Sequence, residues 1–185
     1  MGLGKLVIVS GPSGCGKGTV ISELLKRHSD LKLSVSMTTR KPRKGETDGV
    51  HYHFTDVRTF EKLIENGGLL EYIKYTENYY GTPKQPIDDA VKNGITVILD
   101  IEVEGAENVR KRFDKNLITI FMLPPNDEVL ESRLRGRATE SENEIELRLK
   151  RAQEEIKFKD KYDYIVINDE IDKTVSEIEQ IIYNK

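Results

Sequence analysis

The sequence predicts an α/β fold, a parallel sheet flanked by helices, carrying two insertions. Three observations lead there. Short apolar, β-branched runs recur at Leu6–Val9, Leu33–Val35, Thr96–Leu99, Leu117–Leu123 and Tyr164–Ile167. Helical patterns stand between these runs, and strands alternating with helices build parallel sheets. The last helix shows the pattern well: Ile171, Val175, Ile178 and Ile182 form one apolar stripe to lay on a sheet.

The first run feeds directly into Gly11-Pro12-Ser13-Gly14-Cys15-Gly16-Lys17-Gly18-Thr19, and the helical pattern Val20, Ile21, Leu24, Leu25 follows. The spacing Gly11-x4-Gly16-Lys17 is that of a phosphate-binding P-loop, and a strand before it with a helix after it is the context that distinguishes it from a chance glycine-rich turn. Glycines let successive N–H groups approach phosphate oxygens, the helix N-terminus adds partial positive charge, and Lys17 reaches the β- and γ-phosphates. The ligand this implies is a nucleoside triphosphate. The usual pattern sets Ser or Thr directly after the lysine, to touch Mg²⁺; here Gly18 intervenes before Thr19. Cys15 lies within this loop, where it is either a small filler or a thiol whose pKa the positive surroundings lower.

Two stretches depart from plain βα alternation. Residues 34–82 are rich in Thr, Arg, Gly and Tyr and hold a helix candidate, Asp56–Asn66, closed by Gly67-Gly68. They read as an excursion of irregular loops and short strands. Residues 132–158 read as an arginine-bearing turn and then a long charged helix, opened by a capping-box pair, Ser141 and Glu144, with Ile145, Leu149, Ala152 and Ile156 as its thin apolar stripe. The expected layout is one domain over 4–182: a core of 1–33, 83–125 and 159–185, an excursion of 34–82, and a helical lid of 126–158.

The chain's 185 residues can bury a full core. Charged residues make up 33%, the signs are mixed and the net charge is −3, so the basic footprint of a nucleic-acid binder is missing. No apolar run approaches the roughly 20 residues a membrane span needs. The N-terminus runs straight into the first strand, and a single cysteine excludes an intrachain disulfide. Cytoplasm is the expected location, and the oligomeric state is open. His51 and His53 flank Tyr52 without an evident third ligand, so zinc is not expected.

Arg40 and Arg43, stiffened by Pro42 and followed by Tyr52, suit capture of a phosphate monoester, because the guanidinium presents a planar fork of donors and stays charged. A solvated basic loop is the alternative. Taken alone, Glu71 reads equally as a surface carboxylate at a strand end. Asp100 ends a buried run, where an α/β sheet presents ligands. It suits either Mg²⁺ bound through water or the N-cap of a helix over Glu102–Arg112.

Taken together, the P-loop, Ser36 through Gly45 with its Thr-Thr-Arg-x-Pro-Arg core, Leu70-Glu71-Tyr72, Asn78–Gly81 and Leu99-Asp100-Ile101-Glu102 resemble the guanylate kinase family in order and spacing, over roughly residues 4 to 182. The resemblance implies a P-loop nucleoside-triphosphatase-like core and ATP-dependent phosphorylation of GMP, with dGMP as a further acceptor, in purine nucleotide metabolism. It implies ATP bound by residues 11–19, that is Gly11, Pro12, Ser13, Gly14, Cys15, Gly16, Lys17, Gly18 and Thr19. Arg40, Arg43, Tyr52 and Tyr80 would hold the GMP phosphate; Ser36, Glu71 and Thr82 would read the base, with Glu102 nearby. Guanine offers N1–H and N2–H₂ as adjacent donors to Glu71, which adenine lacks. A further implication is Mg²⁺ with ATP, and an asparagine, Asn168, near the adenine ring.

Residues 130–140 resemble the family's lid, with Arg148 on the helix beyond. Arg133, Arg137 and Arg148 would close over the transferring phosphoryl and, with Lys17, Arg40 and Arg43, form the catalytic set. A solvated charged helix is the alternative for the lid arginines, and Arg135 has no assigned role. Two other functions compete: a kinase-like scaffold module without catalysis, and a P-loop phosphotransferase acting on AMP, dTMP or a phosphorylated ribose. Gly16, Lys17 and the lid arginines weigh against the first, Glu71 and Thr82 against the second.

Overall fold

The computed structural model describes residues 3–113, 116–136 and 142–183. Its elements in chain order are β1 (Leu6–Ser10), α1 (Lys17–Arg27), β2 (Leu31–Leu33), β3 (Met37–Thr38), β4 (His53–Phe54), α2 (Val57–Glu65), β5 (Leu69–Tyr75), β6 (Asn78–Pro83) and α3 (Lys84–Lys92). Then follow β7 (Thr96–Asp100), α4 (Val103–Arg110), β8 (Leu117–Leu123), α5 (Asp127–Arg135), α6 (Glu142–Ile156), β9 (Tyr164–Ile167) and α7 (Ile171–Tyr183).

Five strands form a parallel sheet in the order β2-β7-β1-β8-β9. In the central strand β1 alternate residues serve opposite faces. Val7 and Val9 pack with Leu24 of α1 and Val175 and Ile178 of α7. Leu6 and Ile8 pack with Ile87 of α3, Val109 of α4 and Phe121. Every residue of β1 is therefore buried, as a strand covered on both sides requires.

The excursion is more regular than its composition predicts. A second, mixed sheet runs β4-β3-β6-β5, with β3 parallel to β4 and β6 antiparallel to both its neighbours. Helix α2 falls inside the expected span; Asp56 caps it, accepting from the Thr59 N–H at 2.9 Å. A register shift in the β5–β6 pairing between Leu69 and Glu71 breaks the strict alternation of β5. Leu70 enters the core beside Leu6 and Ile8, and the next residue, Glu71, is buried as well.

Three expectations need correction. Strand β2 lies at Leu31–Leu33 rather than 33–35, because Leu31 is the residue that buries at this sheet edge and the chain turns toward the second sheet after Ser34. Arg133 and Arg135 lie in α5, not in a turn; Asn126 caps that helix by accepting from the Val129 N–H at 2.8 Å. Helix α4 spans Val103–Arg110 with Glu102 as its N-cap, so Asp100 is not a cap. Ser141 of the expected capping box lies outside the described residues.

Candidate active site

The glycine-rich loop leaves β1 at the carboxyl edge of the sheet and enters α1. Its glycines answer to specific neighbours. A Cβ on Gly11 would stand 2.2 Å from the Met122 carbonyl oxygen, and Gly11 has φ +148°. A Cβ on Gly16, at φ +94°, would meet Asn168 Nδ2 at 2.4 Å. Gly16 caps α1 without any side-chain bond, which leaves the helix's first N–H groups available to an anion. Lys17 folds over the loop, its Nζ donating to the Gly11 carbonyl at 2.6 Å. Around Gly18 there is open space, and both Gly18 and Thr19 are exposed.

Cys15 is fully buried, and burial pushes its thiol up against the pull of Lys17. Both observations favour the filler reading. Its carbonyl accepts from Asn168 Nδ2 at 2.8 Å and from Arg133 Nη1 at 3.2 Å, while Arg133 Nη2 donates to the Asn168 carbonyl at 3.1 Å. Arg133 and Asn168 thus brace the P-loop from behind. Arg148 on α6 reaches the loop's rim, Nη1 to Ser13 Oγ at 3.4 Å. Arg137 lies outside the described residues.

A cleft of about 560 Å³ runs from the P-loop to the second sheet. Ser13, Lys17 and Asp100 line one end, and Ser36, Arg43, Tyr52, Glu71 and Tyr80 line the other. Asp100 is open to water, yet the cleft around it thins its solvation; this raises its carboxyl pKa, and Lys17 draws it back.

At the far end Glu71 is buried. Thr82 Oγ1 donates to its Oε1 at 2.5 Å. Burial raises the Glu71 pKa, and the Thr82 bond opposes this. Gly105 makes room for it: a Cβ there would come within 2.9 Å of Glu71 Oε2.

Arg43 faces the cleft, whereas Arg40 is turned to Glu46, donating from Nη1 and Nη2 to its two oxygens at 2.9 Å each. Glu46 also accepts from the Arg43 N–H at 2.6 Å. These bonds, Arg40 first, bring the Glu46 carboxyl down to about 2. The Arg40 guanidinium lies 5.4 Å from the Tyr52 ring centre, and Tyr52 meets Tyr80 edge-on at 6.1 Å. His51 Nδ1 accepts from the Thr47 N–H at 3.0 Å, a loop-shaping contact.

Glu102, at the head of α4, accepts from Arg151 Nη2 of α6 at 2.8 Å. Arg135 pairs with Glu131 and with Glu142 at the start of α6, which gives the unassigned cation a bridging place. The structure thus brings Ser13, Lys17, Ser36, Arg43, Tyr52, Glu71, Tyr80, Asp100, Glu102 and Arg148 to one cleft, and sets Arg40 and Arg133 beside it on other partners. Sequence reasoning passed over Glu46, Gly105, Arg151 and Glu155. For Gly105 there was a signal, a lone glycine inside a helical pattern, which marks a close approach. For Arg151 there was another: it stands three residues beyond Arg148 on one helix.

A family model described as guanylate kinase matches residues 3–185. The chain is 49% identical to a guanylate kinase of Clostridioides difficile (strain 630) over 97% of its own length and 87% of the relative's. It is 47% identical to a guanylate kinase of Synechococcus sp. (strain CC9311), over 96% and 93%. Its fold is similar to that of the crystal structure of guanylate kinase from Anaplasma phagocytophilum, with a TM-score of 0.80 and 32% identity over 99% of this chain and 86% of that one.

Proposed function

The chain belongs to the guanylate kinase family, and we propose how its cleft performs the reaction, with ATP on the Lys17 side and GMP against Glu71. The reaction is ATP-dependent phosphorylation of GMP to GDP. The observation that carries the assignment of ends is the buried Glu71 carboxylate, facing the same cleft as the P-loop lysine. Guanine N1–H and N2–H₂ supply what burial has removed; AMP would leave Glu71 desolvated and unpaired. A site built this way rejects an analogue lacking its donors by on the order of 10⁴-fold.

An oxygen of the GMP phosphate attacks the γ-phosphorus in line, the bond to the bridging oxygen of ADP breaks, and ADP leaves with that electron pair. The acceptor phosphate is largely ionised at neutral pH, so positioning and charge neutralisation carry the rate. In this reading Lys17 and the loop N–H groups hold the ATP phosphates. Arg43, Tyr52 and Tyr80 hold the GMP phosphate, with Arg40 released to it from Glu46. Residues 34–82 carry GMP, 126–158 act as a lid that excludes water, and Arg137 and Arg148 come over the phosphoryl group. Arg133 belongs to this set through its hold on the Cys15 carbonyl.

As a nucleotide kinase the protein uses ATP with Mg²⁺. Asp100 fits the ion: a strand-end carboxylate on the cleft floor, near Lys17, suits a metal that keeps several waters and takes its remaining ligands from phosphates. The ion, when bound, neutralises charge on the β- and γ-phosphate oxygens. No helix among the described residues is long and apolar enough to cross a membrane. We assign the protein to the cytoplasm, where it meets both nucleotides.

A coupled ADP-release assay with ATP and Mg²⁺, comparing GMP, dGMP, AMP and UMP, tests the reading. Turnover restricted to the guanine nucleotides is expected. Equal turnover with AMP would remove Glu71 as the base reader, and GMP binding without turnover would move the chain to the scaffold class.

A further inference from the structure

Helix α6 turns a row of side chains to the cleft that the reaction as drawn leaves unused. Leu147, Arg151 and Glu155 recur every four residues, one above another, and all three line the cleft. Arg151 stands where three parts of the molecule meet. Its Nη2 donates to Glu102 Oε2 at 2.8 Å, at the head of α4. Its Nε donates to Glu155 Oε1 at 3.0 Å, one turn along α6. Its guanidinium carbon lies 5.0 Å from the ring centre of Tyr75, the last residue of β5.

One side chain therefore ties α6 both to the core and to the second sheet, across the boundaries that a closing lid has to cross. Arginine suits the task, since its planar fork serves two carboxylates while its face rests on an aromatic ring. We propose that Arg151 is a positioning residue for the GMP end of the cleft: it fixes the Glu102 carboxylate and seats α6 on Tyr75, so that lid closure and assembly of the guanine site occur together. This rests on the reading of Glu102 as a neighbour of the base.

The charges explain why a neutral side chain cannot substitute. Glu102 and Glu155 face each other around the guanidinium; burial and the nearby Glu102 push Glu155 up to about 7. Without Arg151 its downward pull on Glu155 is lost, Glu155 holds a proton more tightly, and the Glu102 carboxylate loses its tie to α6.

Arg151→Met is expected to raise KM for GMP about tenfold, about 1.4 kcal/mol, while kcat stays within about twofold and KM for ATP is unchanged. Arg151→Lys, which keeps the charge but loses the fork and the flat face, recovers part of the loss. A merely structural role would move the ATP and GMP parameters together and lower the melting temperature in proportion. Such a common shift, or an unchanged KM for GMP in Arg151→Met, overturns the proposal, provided that the native enzyme turns over GMP. A native enzyme inactive on GMP would instead defeat the functional reading beneath it. Should Arg151→Met fail to fold, Tyr75→Leu removes the ring and keeps every charge; it is expected to raise KM for GMP alone, by about threefold, and an unchanged value there overturns the proposal equally.

Discussion

At the P-loop end of the cleft the atoms proposed to hold ATP belong to one continuous stretch, Gly11 to Thr19, and apart from Lys17 they are largely backbone. At the opposite end the residues proposed to read the base, Ser36, Glu71, Thr82 and Glu102, come from four separate places in the chain and would act through side chains. The difference follows from the ligands. Phosphate oxygens are common to all nucleotides and are met by N–H groups that any sequence with the right glycines can present. A base is told from another by donors and acceptors in fixed places, and only side chains held by tertiary packing can match them.

The largest effect should come from breaking the one side chain on which the backbone end depends. Lys17→Met is expected to lower kcat about 10³-fold, as loss of a charge-stabilising donor does, with selectivity for GMP over AMP unchanged in the residual rate. Near-native turnover would show that the loop backbone alone holds the phosphates.

Glu71→Gln attacks the other end. The GMP-over-AMP ratio of kcat/KM should fall about 100-fold or more, with kcat for GMP less affected than in Lys17→Met. The same variant has a stability signature. Burial holds the Glu71 pKa above its ordinary 4.5, so the folded state binds this proton more tightly than the unfolded one. Its stabilising contribution is complete below pH 4.5 and is lost as pH rises through the folded value. Glu71→Gln should therefore melt with the native protein near pH 4 and above it at pH 8. A gap that is constant with pH would mean that Glu71 is ionised at no cost.

Gly105→Ala should act more gently at the same place. The new Cβ stands 2.9 Å from Glu71 Oε2 and 3.3 Å from its Cδ, so the carboxylate has to move. KM for GMP is expected to rise about tenfold, a loss of hydrogen-bond geometry rather than of the bond, with KM for ATP unaltered. An unchanged KM would show that the carboxylate has slack.

What could be read in the sequence divides along the same line. The P-loop, helix α2 with its Gly67-Gly68 stop and the apolar stripe of α7 are local, each written in a run of neighbouring residues. The second sheet was not legible because β3 and β4 have two residues each, Met37–Thr38 and His53–Phe54, and exist through pairing with β6 and with each other. The register shift that buries both Leu70 and Glu71 leaves no mark in composition. The contacts of Arg133 with the Cys15 and Asn168 carbonyls are to backbone, which no side-chain motif announces. Glu46 is six residues beyond Arg40, and only the folded loop brings its carboxylate onto that guanidinium.

The smallest effect tests whether every glycine of the backbone end is needed. Gly11 and Gly16 would drive a Cβ into a carbonyl oxygen and into the Asn168 amide, but around Gly18 nothing lies within 4 Å. Gly18 is already helical, the second residue of α1. Its backbone freedom is then a cost of folding with no steric return, and Gly18→Ala should stabilise the protein by about 0.5 kcal/mol, a rise of about 1–2 °C in Tm. Binding of ATP should be unchanged within about twofold, because the phosphates are held by N–H groups that alanine retains. If KM for ATP rises steeply instead, the open space beside Gly18 is filled by the nucleotide or its metal, and the missing hydroxyl after Lys17 is an adaptation to what occupies that space. Gly18→Ser separates the two: a hydroxyl that improves ATP binding where a methyl group impairs it would assign the space to the metal.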